Sequence, residues 1–171
     1  MADIETGALI QNILSRNLKI PPERISNYNS DWDVPKDDGV YIIVKIESNP
    51  PYGQKNVYIE KKNSAGEDSL FEIQSMAVLE DVTISIISKS IEARKMTPLV
   101  MLALGSTYSI QQQELYGLKI SRPESRDASD LEATARLNRF DVSVKIYRGY
   151  KNEMEVDYFD KFPMAKPILN E

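Results

Sequence analysis

The chain has 171 residues, a net charge of -5 and 42% hydrophobic residues, values typical of one globular domain with its own core. It contains no cysteine and no histidine, which excludes disulfides, Cys or His metal ligands and Ser-His or Cys-His nucleophilic pairs within the chain. The acidic balance argues against a protein that binds nucleic acid through its whole surface, but it is compatible with a surface past which DNA slides without being held.

The first half of the chain predicts a short helix over residues 4–16, an irregular connection rich in proline, and a β-rich region over 40–89. Alternating apolar residues predict strands over 40–48 and 55–63, which could form an antiparallel hairpin. The stretch over 70–90 is longer than an ordinary strand, so we expect a bulge or a break near Glu80 and Asp81.

The second half begins with apolar residues at helical spacing, which predict the main helix over 91–115. Ser90 is expected to cap its start, and Gly117 is expected to cap its end in the left-handed conformation. Pro98 predicts either a kink or a second helix start capped by Thr97.

The region 118–160 is again predicted to be β-rich. It should contain a strand over 118–121 and a strand over 139–149, followed by a turn and a returning strand. Residues 161–171 are expected to form an extended tail. The order of elements predicts one α+β domain over 1–171, with a mostly antiparallel twisted sheet on which one long and one short helix pack.

Acidic residues are the main candidates for chemistry; a Ser-Lys arrangement in "SKS" at 88–90 carries little weight, because neighbouring side chains of a strand point to opposite faces. Glu80 with Asp81, and Asp157 with Asp160, are residue types used in acid-base and metal sites, but no second set of ligands lies near either pair in the sequence. The carboxylate-rich loop over 31–39 departs from the calcium-loop pattern. We interpret these residues as surface charge, and we predict no enzyme activity, no metal and no cofactor.

Candidate subunit contacts are Arg94, Gln111, Gln112, Arg136 and Arg139. Arginine is favoured at interfaces because its planar fork pairs with carboxylates, and uncharged amides near a helix end suit a packed contact. Charge reversal at Arg139 should then weaken assembly without unfolding the monomer. An ordinary solvated surface explains the same residues about as well.

One succession of motifs resembles a known family. The strand "TISIISKS" leads through "EAR" to the helix "LALGSTYSIQQQELYG", then to "LKISRP", "LEATARLNRF" and the strand "DVSVKI". This part of the chain, from about residue 85 to 158, resembles the tail terminator or neck proteins of long-tailed phages.

The resemblance implies a small α+β virion subunit that forms a ring, often a hexamer. Such a ring caps the tail tube, contacts the tube protein and the head connector, and lets genome DNA pass without sequence-specific binding. It implies assembly in the host cytoplasm, no membrane and no catalytic residues. A ring needs two different complementary patches on each subunit, and the edge strands of the hairpins over 40–63 and 140–158 are candidates for one of them.

Other readings of the sequence remain open. The chain could be a head-tail completion or collar protein of the same neck region. It could also be a monomeric ligand- or peptide-binding domain, which predicts an apolar pocket of ligand size. A metal enzyme that uses carboxylates predicts tight binding of a divalent ion.

Overall fold

The computed structural model describes residues 5–28, 37–129 and 137–156. Within these ranges the α-helices are α1 (Thr6–Leu18), α2 (Glu92–Leu104) and α3 (Thr107–Tyr116), with a short 3-10 turn at Pro22–Arg24. The strands are β1 (Ile25–Asn27), β2 (Tyr41–Ser48), β3 (Pro51–Lys62), β4 (Asp68–Ser88), β5 (Leu118–Ile120), β6 (Glu124–Asp127) and β7 (Asn138–Val156). The predicted α+β class is confirmed.

None of the described helices combines the length and the apolar composition needed to cross a membrane.

The described strands form one mixed sheet built around β4 and β7. Its order is β1-β2-β4-β7-β5, while β3 also pairs with β4 and β6 also pairs with β7. The β1–β2 pair is parallel, and the other described pairs are antiparallel. The two long strands run side by side from Ser88 opposite Asn138 to Leu70 opposite Val156 without a shift of register.

The helices cover one face of this sheet. Successive side chains of a strand point to opposite faces, so Val82, Ile84 and Ile86 of β4 share a face with their partners in β7. These residues are buried against α1 and α2 in one core cluster. The facing residues of α1 recur at helical spacing and are fully buried: Leu9, Ile10, Ile13 and Leu14.

Of the two features expected near Glu80 and Asp81, the bulge is confirmed, since the β2–β4 pairing shifts register between Ile46 and Ser48, opposite Val82 and Asp81, whereas the break in β4 is wrong. β4 continues through Glu80 and Asp81, and it is the partner on one edge that changes: β2 pairs with residues 81–87 and β3 with residues 68–78. The predicted hairpin between the second and third strands is therefore also wrong. Both strands lie end to end along β4, because β4 has 21 residues and is long enough to pair with each in turn.

The predicted main helix over 91–115 is two helices. α2 ends at Leu104, and Ser106 caps α3 by accepting a hydrogen bond from the Ser109 backbone N–H at 3.2 Å. Glycine followed by serine is a helix-stop and helix-start signal that the apolar spacing concealed. The helix does not restart at Pro98, which lies inside α2, whereas Gly117 has the predicted left-handed conformation with φ 64°.

β7 is one strand of 19 residues, so the turn predicted after residue 149 is wrong. Tyr150, Lys151 and Asn152 pair with Met76, Ser75 and Gln74 of β4. Polar residues suggested a turn, but they are equally suited to a strand whose two faces both meet solvent.

Two short strands were not predicted. β1 lies in the proline-rich connection and β6 in a polar segment, and neither has an alternating apolar pattern. The end of the predicted returning strand, the tail over 161–171 and residues 31–36 of the carboxylate-rich loop lie outside the described residues.

Candidate assembly surfaces

A three-stranded arm extends beyond the part of the sheet that the helices cover. We define the arm as β3 with residues 68–77 of β4 and 149–156 of β7, all of which are described. Every residue of the arm is exposed or half-buried. Because β5 pairs with β7 only at 146–148, no described strand pairs with the outer edge of β7 in the arm or with the outer edge of β3.

Side chains across the three strands hold the arm together. Lys61 of β3 reaches over the Phe71 ring, 4.3 Å from its centroid, to an ion pair with Glu153 of β7. The hydrogen bond from Lys61 is the main cause that lowers the pKa of the Glu153 carboxyl below its ordinary value. At the end of the arm, the Asn63 side-chain oxygen accepts hydrogen bonds from the Ala65 and Glu67 N–H groups, both at 3.0 Å.

One face of the arm continues the face that the helices cover in the body. Its exposed apolar side chains are Tyr58, Met76, Tyr150 and Met154. In a sheet, such a face is normally packed on another layer. Four large side chains exposed together on one face make a candidate contact surface.

The outer half of this face, which we call the tip patch, consists of Tyr58, Leu70, Glu72, Met154, Val156 and Glu60. The Glu72 carboxylate accepts hydrogen bonds from the Asn56 side chain at 2.8 Å and from the Tyr58 hydroxyl at 3.3 Å. The charge of Glu72 is the main cause that raises the pKa of Tyr58. The tip patch therefore combines apolar side chains with two carboxylates, of which Glu72 is held by hydrogen bonds from its neighbours.

A second apolar surface lies on the helices. The end of α1 and one side of α2 form a shallow groove, which we call the helix groove, lined by Asn17, Leu18, Leu99, Leu102 and Ala103. The side chain of Leu102 is 70% exposed. Exposed cations adjoin the lining residues along the chain: Arg16 and Lys19 flank Asn17 and Leu18, and Lys95 lies one helical turn before Leu99 and pairs with Glu92 at 2.6 Å.

The face of the sheet opposite the helices carries a buried charge cluster. Asp141 is 0% exposed and receives hydrogen bonds from Ser85 Oγ at 2.7 Å and Arg139 Nε at 2.9 Å. Arg126, on the neighbouring strand β6, pairs with the second carboxylate oxygen at 3.3 Å. A buried charge needs such partners, so this cluster supports the fold of the monomer.

The predicted contact residues do not converge on one surface. Arg94 is exposed on α2; hydrogen bonds from Ser129 are the main cause that lowers the pKa of Asp127, and the charge of Arg94 contributes less. Gln111 is exposed and Gln112 half-buried on α3. Arg136 lies outside the described residues. Their assignment to a subunit contact remains a prediction.

Arg139 has a role that the sequence did not indicate. Its guanidinium is committed to Asp141 and Ser85 within the chain. Charge reversal at Arg139 would place a carboxylate beside the buried Asp141, and we therefore correct the expectation that this change would leave the monomer intact.

The neighbouring carboxylates Glu80 and Asp81 do not act as a pair. Glu80 is buried on the helix side, where it accepts a hydrogen bond from Thr6, the first residue of α1. Asp81 lies on the other face and pairs with Lys145 at 2.9 Å. Among the described residues no group of three or more acidic side chains is placed to hold a metal ion.

No protein-family model matches the chain, and no curated protein matches it in sequence. Among solved structures, it is similar to a chain from the virion of a native gene transfer agent particle. The sequence identity is 10%, the TM-score is 0.36, and the match covers 85% of this chain and 95% of that chain. A likeness at this TM-score says nothing about what either chain binds.

The sequence predicted the edge strands of 40–63 and 140–158 as candidates for one contact patch, and part of the tip patch lies on them, but it indicated neither the individual tip-patch residues nor the helix groove. A signal was present in "NVYIEKK", where apolar side chains occur on both faces of the strand. A strand with one buried face needs apolar side chains on that face only. Leu99 falls on the apolar stripe predicted for this helix but is exposed, because a helical repeat does not show how much of a helix the sheet covers.

Proposed function

We propose that this chain is a virion structural protein of a long-tailed phage, a tail terminator or neck subunit that forms a ring. The ring would cap the tail tube and join it to the head connector. It would act by assembly geometry rather than by chemistry, and DNA would pass through its lumen.

The arm is the observation that carries this proposal. A sheet extension with no buried residue gains little from folding by itself, because its apolar side chains remain in water. Its two outer edges, with which none of the described strands pairs, and its exposed Tyr and Met side chains are features of a surface that a partner covers. The motifs over about 85–158 resemble those of a ring-forming family. They therefore favour, as the partner, further copies of the same subunit arranged around an axis.

The charge distribution also fits a ring through which DNA passes. The net charge is -5, and three basic side chains on the open face of the sheet in the body are paired: Arg139 and Arg126 with Asp141, and Lys145 with Asp81. Cations that are already paired with carboxylates neutralise few DNA phosphates, so few counterions are released from the DNA. DNA should therefore move past such a surface without being held.

Electron microscopy of the purified full chain tests the proposal. We expect closed rings with a central hole, and in virions that contain the chain we expect a labelled copy at the junction of head and tail. Solitary molecules on the grid, together with a label on the capsid surface or the tail fibres, would contradict the proposed function. A label above the terminator position would instead indicate the neighbouring collar or completion role.

A further inference from the structure

We propose that the tip patch of one copy docks in the helix groove of the next copy, and that this contact closes the ring. The inference rests on the proposed function and names the two surfaces through which that function would be performed. The occupant of the helix groove is thus a second copy of this chain.

The first argument is architectural. In the body, α1 and α2 cover this face of the sheet, whereas the same face in the arm has no described layer over it. A neighbour's helices would continue the two-layer arrangement that the body already uses. Such a contact joins two different patches, as a head-to-tail ring requires.

The second argument is the distance between the tip patch and the helices of its own chain. From Gly149 to Val156 the arm is about 25 Å long, at roughly 3.3 Å per residue. The tip patch therefore lies far along the strands from the helices of its own chain, and β4 and β7 pair without interruption between the two. An arm built in this way cannot fold back on its own helix groove while the β4–β7 pairing remains intact.

The third argument is charge complementarity. On the arm face near the tip, Glu60, Glu72 and Asp68 outnumber the cation Lys62. Around the helix groove, the cations Arg16, Lys19 and Lys95 outnumber the nearby carboxylate of Glu92. Opposite charges bring the two patches together, while two tip patches or two helix grooves facing each other would repel.

Because the chain contains no cysteine, two introduced cysteines can be used to test the contact directly by disulfide crosslinking. In the full chain, we would introduce Met154→Cys in the tip patch and Leu102→Cys in the helix groove. Both side chains are exposed, so the monomer should fold as before. Docking brings the two thiols together at a high effective concentration, and mild oxidation should yield a ladder of covalent oligomers.

The matched control pairs Met154→Cys with Leu115→Cys, since Leu115 is an exposed leucine on α3 outside the helix groove. We expect the tip–groove pair to crosslink at least about tenfold faster than this control, because docking raises the local thiol concentration. Equal rates for the two pairs would overturn the inference.

A complementation experiment gives a second readout. Met154→Asp should break the tip patch and Leu102→Asp the helix groove, so each variant alone should remain monomeric. Their mixture retains one intact contact and should form a dimer that grows no further.

The results separate this inference from the proposed function. If the wild-type chain forms rings but the two Asp variants form the same rings, the tip–groove contact is wrong and the proposed function stands. If the wild-type chain forms no rings and the cysteine pair gives no ladder, both are wrong.

Discussion

At the scale of single residues, the buried Asp141 is the charge on which the monomer depends most. Arg139, Arg126 and Ser85 all contact its carboxylate, which has no exposure to water. Removing one partner of a buried charge cluster leaves the remaining charges desolvated and uncompensated. This arrangement explains why an arginine that resembled an interface residue in the sequence belongs to the fold.

We predict that Asp141→Asn lowers the free energy of unfolding by about 3 kcal/mol, because it leaves two arginines facing a neutral amide. The matched control is Asp81→Asn, which removes an exposed pair with Lys145 and should cost much less stability, because water screens an exposed ion pair. Urea unfolding of both variants measures the difference. Similar losses for the two variants would show that the buried cluster has no special role.

The ion pair between Lys61 and Glu153 predicts a pH dependence of the arm. Because the folded-state pKa of Glu153 is lowered, its stabilising contribution is present above the ordinary pKa of the carboxyl and is lost as the pH falls through the lowered value. An NMR titration of the Glu153 carboxyl should find this lowered pKa. Lys61→Met should raise it towards the ordinary value.

The control for that titration is Lys62→Met. Lys62 is the next residue of β3 and points to the opposite face, so its loss should leave the Glu153 titration unchanged. An unaltered pKa of Glu153 in the Lys61→Met variant would show that the ion pair is not formed in solution.

At the scale of elements, β4 organises the molecule. One edge pairs with β2 and then with β3, and the other pairs with β7 along the whole length. In the arm β4 is therefore the central strand, and both of its edges are occupied. The arm should be the part of the sheet that opens first, since it has no buried core of its own.

We predict that Ile73→Pro opens the arm without unfolding the body. Ile73 pairs with Val57 on one side and Glu153 on the other, so a proline there removes a ladder hydrogen bond from a central strand. Amide hydrogen exchange in the arm should accelerate at least about tenfold, equivalent to roughly 1.4 kcal/mol.

Ile73→Val is the matched control, because it keeps the backbone donor and a β-branched side chain. It should leave exchange in the arm nearly as slow as in the wild-type chain. If Ile73→Pro also accelerates exchange at Ile84 and Val142 in the body, the arm and the body unfold together and the separation proposed for them is wrong.

Local sequence patterns predicted the elements whose signals are local. The α+β class, the existence of strand β2 and the left-handed Gly117 follow from apolar spacing and from the conformational freedom of glycine. The pairing of β3 with β4 and the continuity of β7 depend on which strands become neighbours in space. Residue periodicity contains no information about that choice, so both were mispredicted.

The same distinction applies to the candidate surfaces. Residue type pointed to arginines and glutamines, but exposure in the fold points to Tyr58, Met154, Leu99 and Leu102. Which apolar residues of an amphipathic element remain exposed depends on how much of that element its neighbours cover. No periodicity within the element itself contains that information.

At the scale of the whole molecule, two patches with exposed apolar side chains lie at different places on one subunit. Carboxylates accompany one patch and cations accompany the other. The tip patch extends from the sheet, and the helix groove lies on the helical layer. A subunit with two different complementary patches assembles head to tail, and the assembly stays finite only when the rotation closes a ring. This geometry connects the fold to the proposed role in a phage neck.

Native mass spectrometry of the full, unmodified chain across a range of concentrations tests the central claim most directly. We predict one closed oligomer, hexameric if the family resemblance holds, with no open series of larger species. The mass of a single chain at every concentration would contradict the claim that this protein functions by assembling with copies of itself.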